Sequence, residues 1–263
     1  MVTSANHFAG VTLLITHYNR SSSLERLLIS FQNLGCVFDD IVVSDDASKP
    51  EHFKAVEAMK EKYGFTLVST PQNKGLGNNI NKGQAAVKSP YTLYVQEDFV
   101  PKPAFVTHFK DALAFMELDD ELDIVRFYAY FAYPYLKPHA KGYSLMVFKP
   151  WVWYTDHLKF YYYSDHPHLR RSTFLDKFGK YVEGIKSDRT EFLMCLSVLK
   201  KKGKGLFFNE FTTLFDQKNS SDEPSTIQRS SWRESTNPAF MALRWFYLKF
   251  RLLKNTVELI TFK

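Results

Sequence analysis

Cysteine is nearly absent from this chain of 263 residues, which holds Cys36 and Cys195 alone. Two thiols without metal-ligand or redox spacing exclude a zinc ribbon and a disulfide framework, and predict buried free cysteines in a reducing compartment. Long apolar runs are missing too. The stretch Val11 to Thr16 is too short for a signal h-region or a membrane span, and no basic segment precedes it, so the expected location is the cytoplasm. No G-x-x-x-x-G-K-[ST] occurs, which removes a P-loop enzyme. His17, His166 and His168 lack ligand spacing for zinc, and neither an internal repeat nor a low-complexity segment is visible. The net charge of +6 is not a broad basic patch. Most of it comes from Arg244, Lys249, Arg251, Lys254 and Lys263, set against Glu258 alone in the last stretch, so nucleic acid is not an expected partner.

What is present is a chain able to bury a full core, with 45% hydrophobic and 16% aromatic residues. Val11 to Thr16 reads as a buried strand, and Leu24, Leu27, Leu28, Phe31 and Leu34 follow at helical spacing up to Gly35. A second strand, Asp40 to Ser44, runs into Asp45, Asp46 and Ser48. Ser48 and Glu51 have capping-box spacing for a helix reaching Tyr63. A third strand (Phe65 to Ser69) precedes a turn-rich stretch from Pro71 to Gly83, a helix-compatible segment from Gln84 to Lys88, and a fourth strand from Tyr91 to Val95. The second half is less regular. It offers a helix from Pro103 to Met116, a strand from Ile124 to Tyr130, a helix from Asp188 to Lys202 and a strand from Leu206 to Phe208. Alternating strands and helices predict a mostly parallel α/β sheet, whose ligands bind beyond the carboxyl ends of the strands.

Polar clusters fall at those ends: His17 to Arg20, Asp45 to Ser48, Asn73 to Gly83, and Gln96 to Asp98. A carboxylate pair can accept hydrogen bonds from a base and a ribose, and an Asn- and Gly-rich segment lets backbone approach sugar and phosphate. A carboxylate ending a strand suits a hard divalent cation on a diphosphate. Each cluster also has a plain structural reading as a turn, a cap or a solvated loop.

In this order and spacing, Tyr18-Asn19-Arg20, Asp45-Asp46-x-Ser48, Asn73-x-Gly75 with Asn81-x-Gly83, and the acidic end of the fourth strand resemble family 2 glycosyltransferases of the GT-A fold. The likeness spans about residues 10 to 115, and more weakly Arg170 to Phe208. It implies a Rossmann-like, mostly parallel sheet flanked by helices, and an inverting transfer from a nucleotide-sugar, with UDP as the expected nucleotide. A divalent metal, Mn2+ or Mg2+, would assist. The implied acceptor is a glycan or a lipid-linked hydroxyl in surface polysaccharide or lipopolysaccharide synthesis. Thr16, Tyr18, Asn19, Arg20, Asp45, Asp46, Asn73, Gly75, Asn81, Gln96 and Glu97 would line the nucleotide-sugar, with Asp45 or Asp46 at the base. Asp98 would hold the metal, with Asp216 at about the place of a later ligand. Gln96 stands where the family's metal motif has its first Asp, which removes one negative charge. Glu191, with Asp188 second, is expected as the general base that takes the acceptor's proton.

The competing readings are a catalytically silent nucleotide-sugar-binding or scaffold protein of the same fold, and a nucleotidyltransferase, which would want a Gly-rich basic loop after the first strand. The expected organisation is a catalytic domain over 1–237, divided into a nucleotide-sugar half (10–115) and an acceptor half (116–237), followed by a basic amphipathic helical tail over 238–263. Peripheral membrane contact is expected of that tail, its alternative being packing on the domain or on a second subunit.

Overall fold

The computed structural model describes residues 5–218 and 238–262. The chain runs β1 (Asn6–His17), α1 (Ser21–Asn33), β2 (Cys36–Asp45), α2 (Pro50–Tyr63), β3 (Thr66–Val68), α3 (Gly75–Ala85), β4 (Tyr91–Gln96), β5 (Phe99–Pro101) and α4 (Ala104–Leu118). There follow β6 (Leu122–Arg126), β7 (Leu136–Pro138), β8 (Tyr143–Met146), a 3-10 helix (His157–Tyr161), β9 (His168–Arg171), α5 (Phe174–Phe178), α6 (Ser187–Lys200), β10 (Lys204–Phe208), β11 (Phe215–Gln217) and α7 (Pro238–Thr261).

Among the described residues nine strands form one sheet in the order β3-β2-β1-β4-β9-β6-β10-β8-β7. The pairs β2–β3, β1–β2, β1–β4 and β6–β10 are parallel, so His17, Asp45, Gln96 and Arg126 come to one edge. β9 is inserted antiparallel between β4 and β6, with His168 opposite both Tyr94 and Arg126. Its beginning therefore lies at the edge where its neighbours end. The residues just before it, Ser164 and Asp165, are delivered there by topology.

Hydrophobic burial fixes this frame. Val11, Leu13, Leu14 and Ile15 of β1 are fully buried, each stabilising the fold by ~1.5–3 kcal/mol in transfer terms. One side of the sheet is covered by an aromatic cluster in which Phe105 of α4 meets Phe109 and Phe215 at ring separations of 5.0 Å each. Phe215 thereby anchors β11, which pairs antiparallel with β5 outside the main sheet and sets Gln217 opposite Phe99. Both cysteines are buried and unpaired.

Two local expectations differ from the structure. Ser48 does not cap α2, which starts at Pro50; its hydroxyl turns back to Asp45. The stretch read as turns up to Gly83 is largely the helix α3. Its glycines are contact surfaces: a Cβ on Gly77 would lie 2.4 Å from the carbonyl oxygen of Val182, and one on Gly83 2.6 Å from Leu14 Cδ1. Close packing on β1, β2 and the segment before α6 outweighs the ~1 kcal/mol helix penalty of each glycine.

Candidate active site

The cluster expected to line a nucleotide-sugar is tightly cross-linked. Asp45 Oδ1 accepts from His17 Nδ1 at 2.8 Å and Ser48 Oγ at 2.5 Å, while Oδ2 accepts from Ser48 N and Ser69 Oγ, both at 3.1 Å. The backbone N–H of Arg20 donates to His17 Nε2 at 3.1 Å, which assigns the ring proton to Nδ1. Burial by itself would raise the Asp45 pKa, but hydrogen bonds from His17 and Ser48 outweigh it and hold the carboxyl down to about 2. Asp46 caps α3: its carboxylate accepts from Lys74 N at 2.9 Å and Gly75 N at 2.8 Å, and its carbonyl accepts from Asn73 Nδ2 at 3.3 Å. Gly75 supplies the positive φ of +80° at this helix start. The two carboxylates expected at the base thus already organise the loops around them.

The other donor-side residues divide into rim and frame. Tyr18 is partly exposed at the rim. Asn19 takes a left-handed φ of +54°, tolerated by Asn, and accepts from Lys49 N at 2.7 Å. Thr16 bonds Tyr94 OH at 3.0 Å inside the sheet. Asn81 ties α3 to the segment before α6, donating to Tyr181 O at 2.9 Å and Glu183 Oε1 at 2.8 Å, and accepting from Tyr181 N at 3.0 Å.

Asp98 stands where β4 hands over to β5. Its Oδ2 accepts from Gln217 Nε2 at 2.9 Å and lies 3.3 Å from Arg20 NH1, which is also 3.7 Å from Glu97 Oε1. Its Oδ1 is buried with no hydrogen-bond partner. A carboxylate oxygen left bare in a polar corner is a fitting ligand for a hard cation. Asp216 is not brought to it. Alternation along β11 sends Gln217 toward Asp98 and Asp216 the other way, to Lys102 Nζ at 2.7 Å. Gln217 also accepts from Tyr130 OH at 2.7 Å, joining the Asp98 corner to an aromatic wall. Among the described residues no group of three or more His, Cys, Asp or Glu forms a ready metal cage.

Gln96 reaches past Asp98 and donates to Asp165 Oδ2 at 2.9 Å. Asp165 in turn shares a hydrogen bond with Glu191, which projects from the first turns of α6. Burial, then the charge of Asp165 and the bond to it, push Glu191 well above the ordinary carboxylate range, with Arg126 and Ser164 pulling the other way. Burial also raises Asp165. Two carboxyls this close repel one another when both are ionised, which adds to burial in raising Glu191. Asp188 is separate from it: exposed at the start of α6, it accepts from Arg189 N at 2.8 Å. Asp165 was missed in the sequence because its place depends on β9 entering the sheet antiparallel. The only local signal was a polar Ser164-Asp165-His166 between aromatic and strand residues.

The family profile "Glycosyl transferase family 2" matches residues 12–179, well over half of the chain. Over 97 residues the chain is 24% identical to the poly-beta-1,6-N-acetyl-D-glucosamine synthase of Staphylococcus aureus (strain COL), a match covering 37% of this chain and 24% of that protein. The chain thus spans about a quarter of the length of this curated relative. Among solved structures it resembles S. aureus TarS 1–349 in complex with UDP-GlcNAc, with a TM-score of 0.59 at 18% identity, over 84% of this chain and 62% of that one. It also resembles the mannosyltransferase PcManGT from Pyrobaculum calidifontis in complex with GDP-Man and Mn2+, with a TM-score of 0.55 at 12% identity, over 95% and 73%. The shared fold is GT-A.

Proposed function

Since the chain belongs to glycosyl transferase family 2, we propose that it carries out an inverting transfer of a sugar from a UDP-sugar to a hydroxyl acceptor. The observation that carries this is the contiguity of two devices on one sheet edge. Gln96, the last residue of β4, bonds Asp165 of the Asp165–Glu191 pair and stands two residues before Asp98 with its bare Oδ1, whose charge is felt by Asp165.

Asp98 would hold Mn2+ or Mg2+, with Gln217 beside it. A cation held there would supply positive charge that offsets that of the leaving nucleotide diphosphate. The carboxyl pair does the proton work. In its singly ionised form it takes the acceptor's hydroxyl proton as that oxygen bonds to the anomeric carbon and the bond to the nucleotide diphosphate breaks. Arg20, held between Glu97 and Asp98, is poised to follow charge developing on the diphosphate. Binding of UDP-GlcNAc by TarS supports the donor class. The acceptor is read as a glycan or lipid-linked glycan in surface polysaccharide synthesis, at the inner face of the cell membrane, with the 238–263 tail against that face.

A panel of UDP-sugars with Mn2+, followed by UDP release and by thermal shift, tests the reading. Donor-dependent stabilisation and UDP release on adding a glycan acceptor are expected. Donor binding without turnover for any acceptor would leave a binding protein and overturn it.

A further inference from the structure

The loop between β8 and the 3-10 helix holds three large aromatic side chains in water: Trp151 is 69% exposed, Trp153 81% and Tyr154 102%. The loop is built to keep them there. Tyr154 sits at a φ of +58°, an unfavourable value for an aromatic residue. Beneath it the fully buried Lys159 donates from Nζ to Lys149 O at 3.0 Å and Trp151 O at 2.5 Å, and reaches Thr155 Oγ1 at 3.3 Å. Burial pushes this ammonium down to about 8. Thr155 Oγ1 donates to Trp151 O at 2.7 Å and Asp156 N to Tyr135 OH at 2.7 Å. Val152, between the two tryptophans, packs inward with Phe160 and with Leu252 of α7.

α7 lies against the same element. Arg251 donates to Tyr161 OH at 3.1 Å, and Leu252, Asn255 and Thr256 are buried against the domain. The face turned outward is the more apolar one. Leu243, Phe246, Phe250, Leu253, Val257 and Ile260 are each more than half exposed and recur at alternating spacings of three and four. Such a stripe could pair with a second copy of itself. Its flanks argue otherwise: by helical position the charged residues beside it are Lys249 and Lys254, Arg244 and Arg251 lying toward the opposite side with Arg251 on Tyr161, and the acid Glu258 is tied to Arg189 at 2.5 Å and lies 3.7 Å from Lys254. Self-pairing would set cation against cation, whereas an anionic bilayer complements an apolar stripe bordered by cations and aromatics.

We propose that the 149–156 loop and α7 form a two-part docking surface for an anionic lipid bilayer, with Trp151, Trp153 and Tyr154 entering the headgroup boundary beside the α7 stripe. This deepens the reading of the tail given above and adds a second, independent anchor. The segment leaving that anchor runs through the 3-10 helix directly to Asp165. Docking the loop therefore sets the height of the carboxyl pair above the lipid, where a lipid-linked hydroxyl would meet it.

The full chain is tested on vesicles of phosphatidylcholine, alone or with an equal part of phosphatidylglycerol, at low and high salt. Binding to the anionic vesicles that weakens with salt is expected. The variant Trp151→Ser/Trp153→Ser/Tyr154→Ser should partition at least ~10-fold more weakly while keeping its circular dichroism and donor binding. In a chain carrying Trp232→Phe and Trp245→Phe, Trp151 and Trp153 are the remaining tryptophans, and brominated lipid should quench them. If the triple variant binds as tightly as the wild type, or the loop tryptophans stay unquenched while the chain is bound, the loop is not an anchor and the proposal falls, though the tail reading stands. If the chain binds neither vesicle, both fall. A stable dimer broken by Phe246→Ser/Phe250→Ser/Leu253→Ser, without vesicle binding, would assign the stripe to a second copy.

Discussion

Replacing Glu191 by Gln is a narrow perturbation of this site, because the amide keeps the size of the side chain and an N–H to donate to Asp165. What it removes is half of the shared carboxyl pair. General base catalysis contributes roughly 10²–10⁴ in rate, or ~3–5 kcal/mol of barrier, so kcat should fall at least ~100-fold, while donor affinity, carried by the Asp98 side, changes little. Asp165→Asn should act on the same step with a different signature. Of the influences that raise Glu191, it deletes the charge and the hydrogen bond of Asp165 and leaves burial, opposed by Arg126 and Ser164. The acid limb of its residual pH–rate profile should therefore move down. Stability responds with a definite sign. Glu191 keeps in the folded chain a proton that the unfolded chain releases, so its contribution is full below the ordinary carboxylate range and declines as pH rises through that range toward the folded value. Glu191→Gln should flatten this decline and be relatively more stable in mild alkali. UDP release under donor saturation gives kcat, and urea unfolding across pH gives the stability slope. If both variants turn over within a few-fold of the wild type, the pair is not the base.

Asp98→Asn should abolish metal-dependent turnover and the Mn2+-dependent thermal shift with donor, in a chain whose circular dichroism is unchanged. Gln96→Asp restores a carboxylate beside Asp98 and should tighten Mn2+ binding in calorimetry; unchanged affinity would place Gln96 outside the metal's reach. Asp216→Asn, by contrast, loses only an exposed pair with Lys102, so metal affinity and stability should both stay near the wild type. Asn81→Ala removes two neutral hydrogen bonds and one to Glu183, which should cost roughly 3–5 kcal/mol in denaturant unfolding.

The first four strands and the helices α1 and α2 were legible in the sequence because hydrophobic runs and Gly stops agree there. So were the polar clusters at the strand ends, since a parallel sheet sends them to one edge. α3 was not legible: its Asn and Gly content reads as turn chemistry, and only contact with Leu14, Ser44 and Val182 makes those residues good helix choices. Asp216 was assigned by its place along the chain under the family resemblance, but the pleat of the three-residue β11 turns Gln217 to Asp98 and Asp216 to Lys102. Glu191 was picked out in the sequence, but its neighbour there was hidden in strand order, because Asp165 approaches only when β9 is threaded between β4 and β6.

The capping of α3 by Asp46 constrains how this fold can receive a diphosphate. In a dinucleotide-binding α/β fold, the N-terminal amides of a helix at the switch point are open and their partial positive charge receives the phosphates. α3 instead follows the marginal strand β3, and at its start Lys74 N and Gly75 N already face the chain's own carboxylate. An anion arriving at the start of α3 finds that end of the helix dipole already neutralised. The Arg20 side chain, 3.3 Å from Asp98 Oδ2, sets positive charge elsewhere on the same edge. A diphosphate at this edge would therefore meet side-chain charge rather than the amides that open α3.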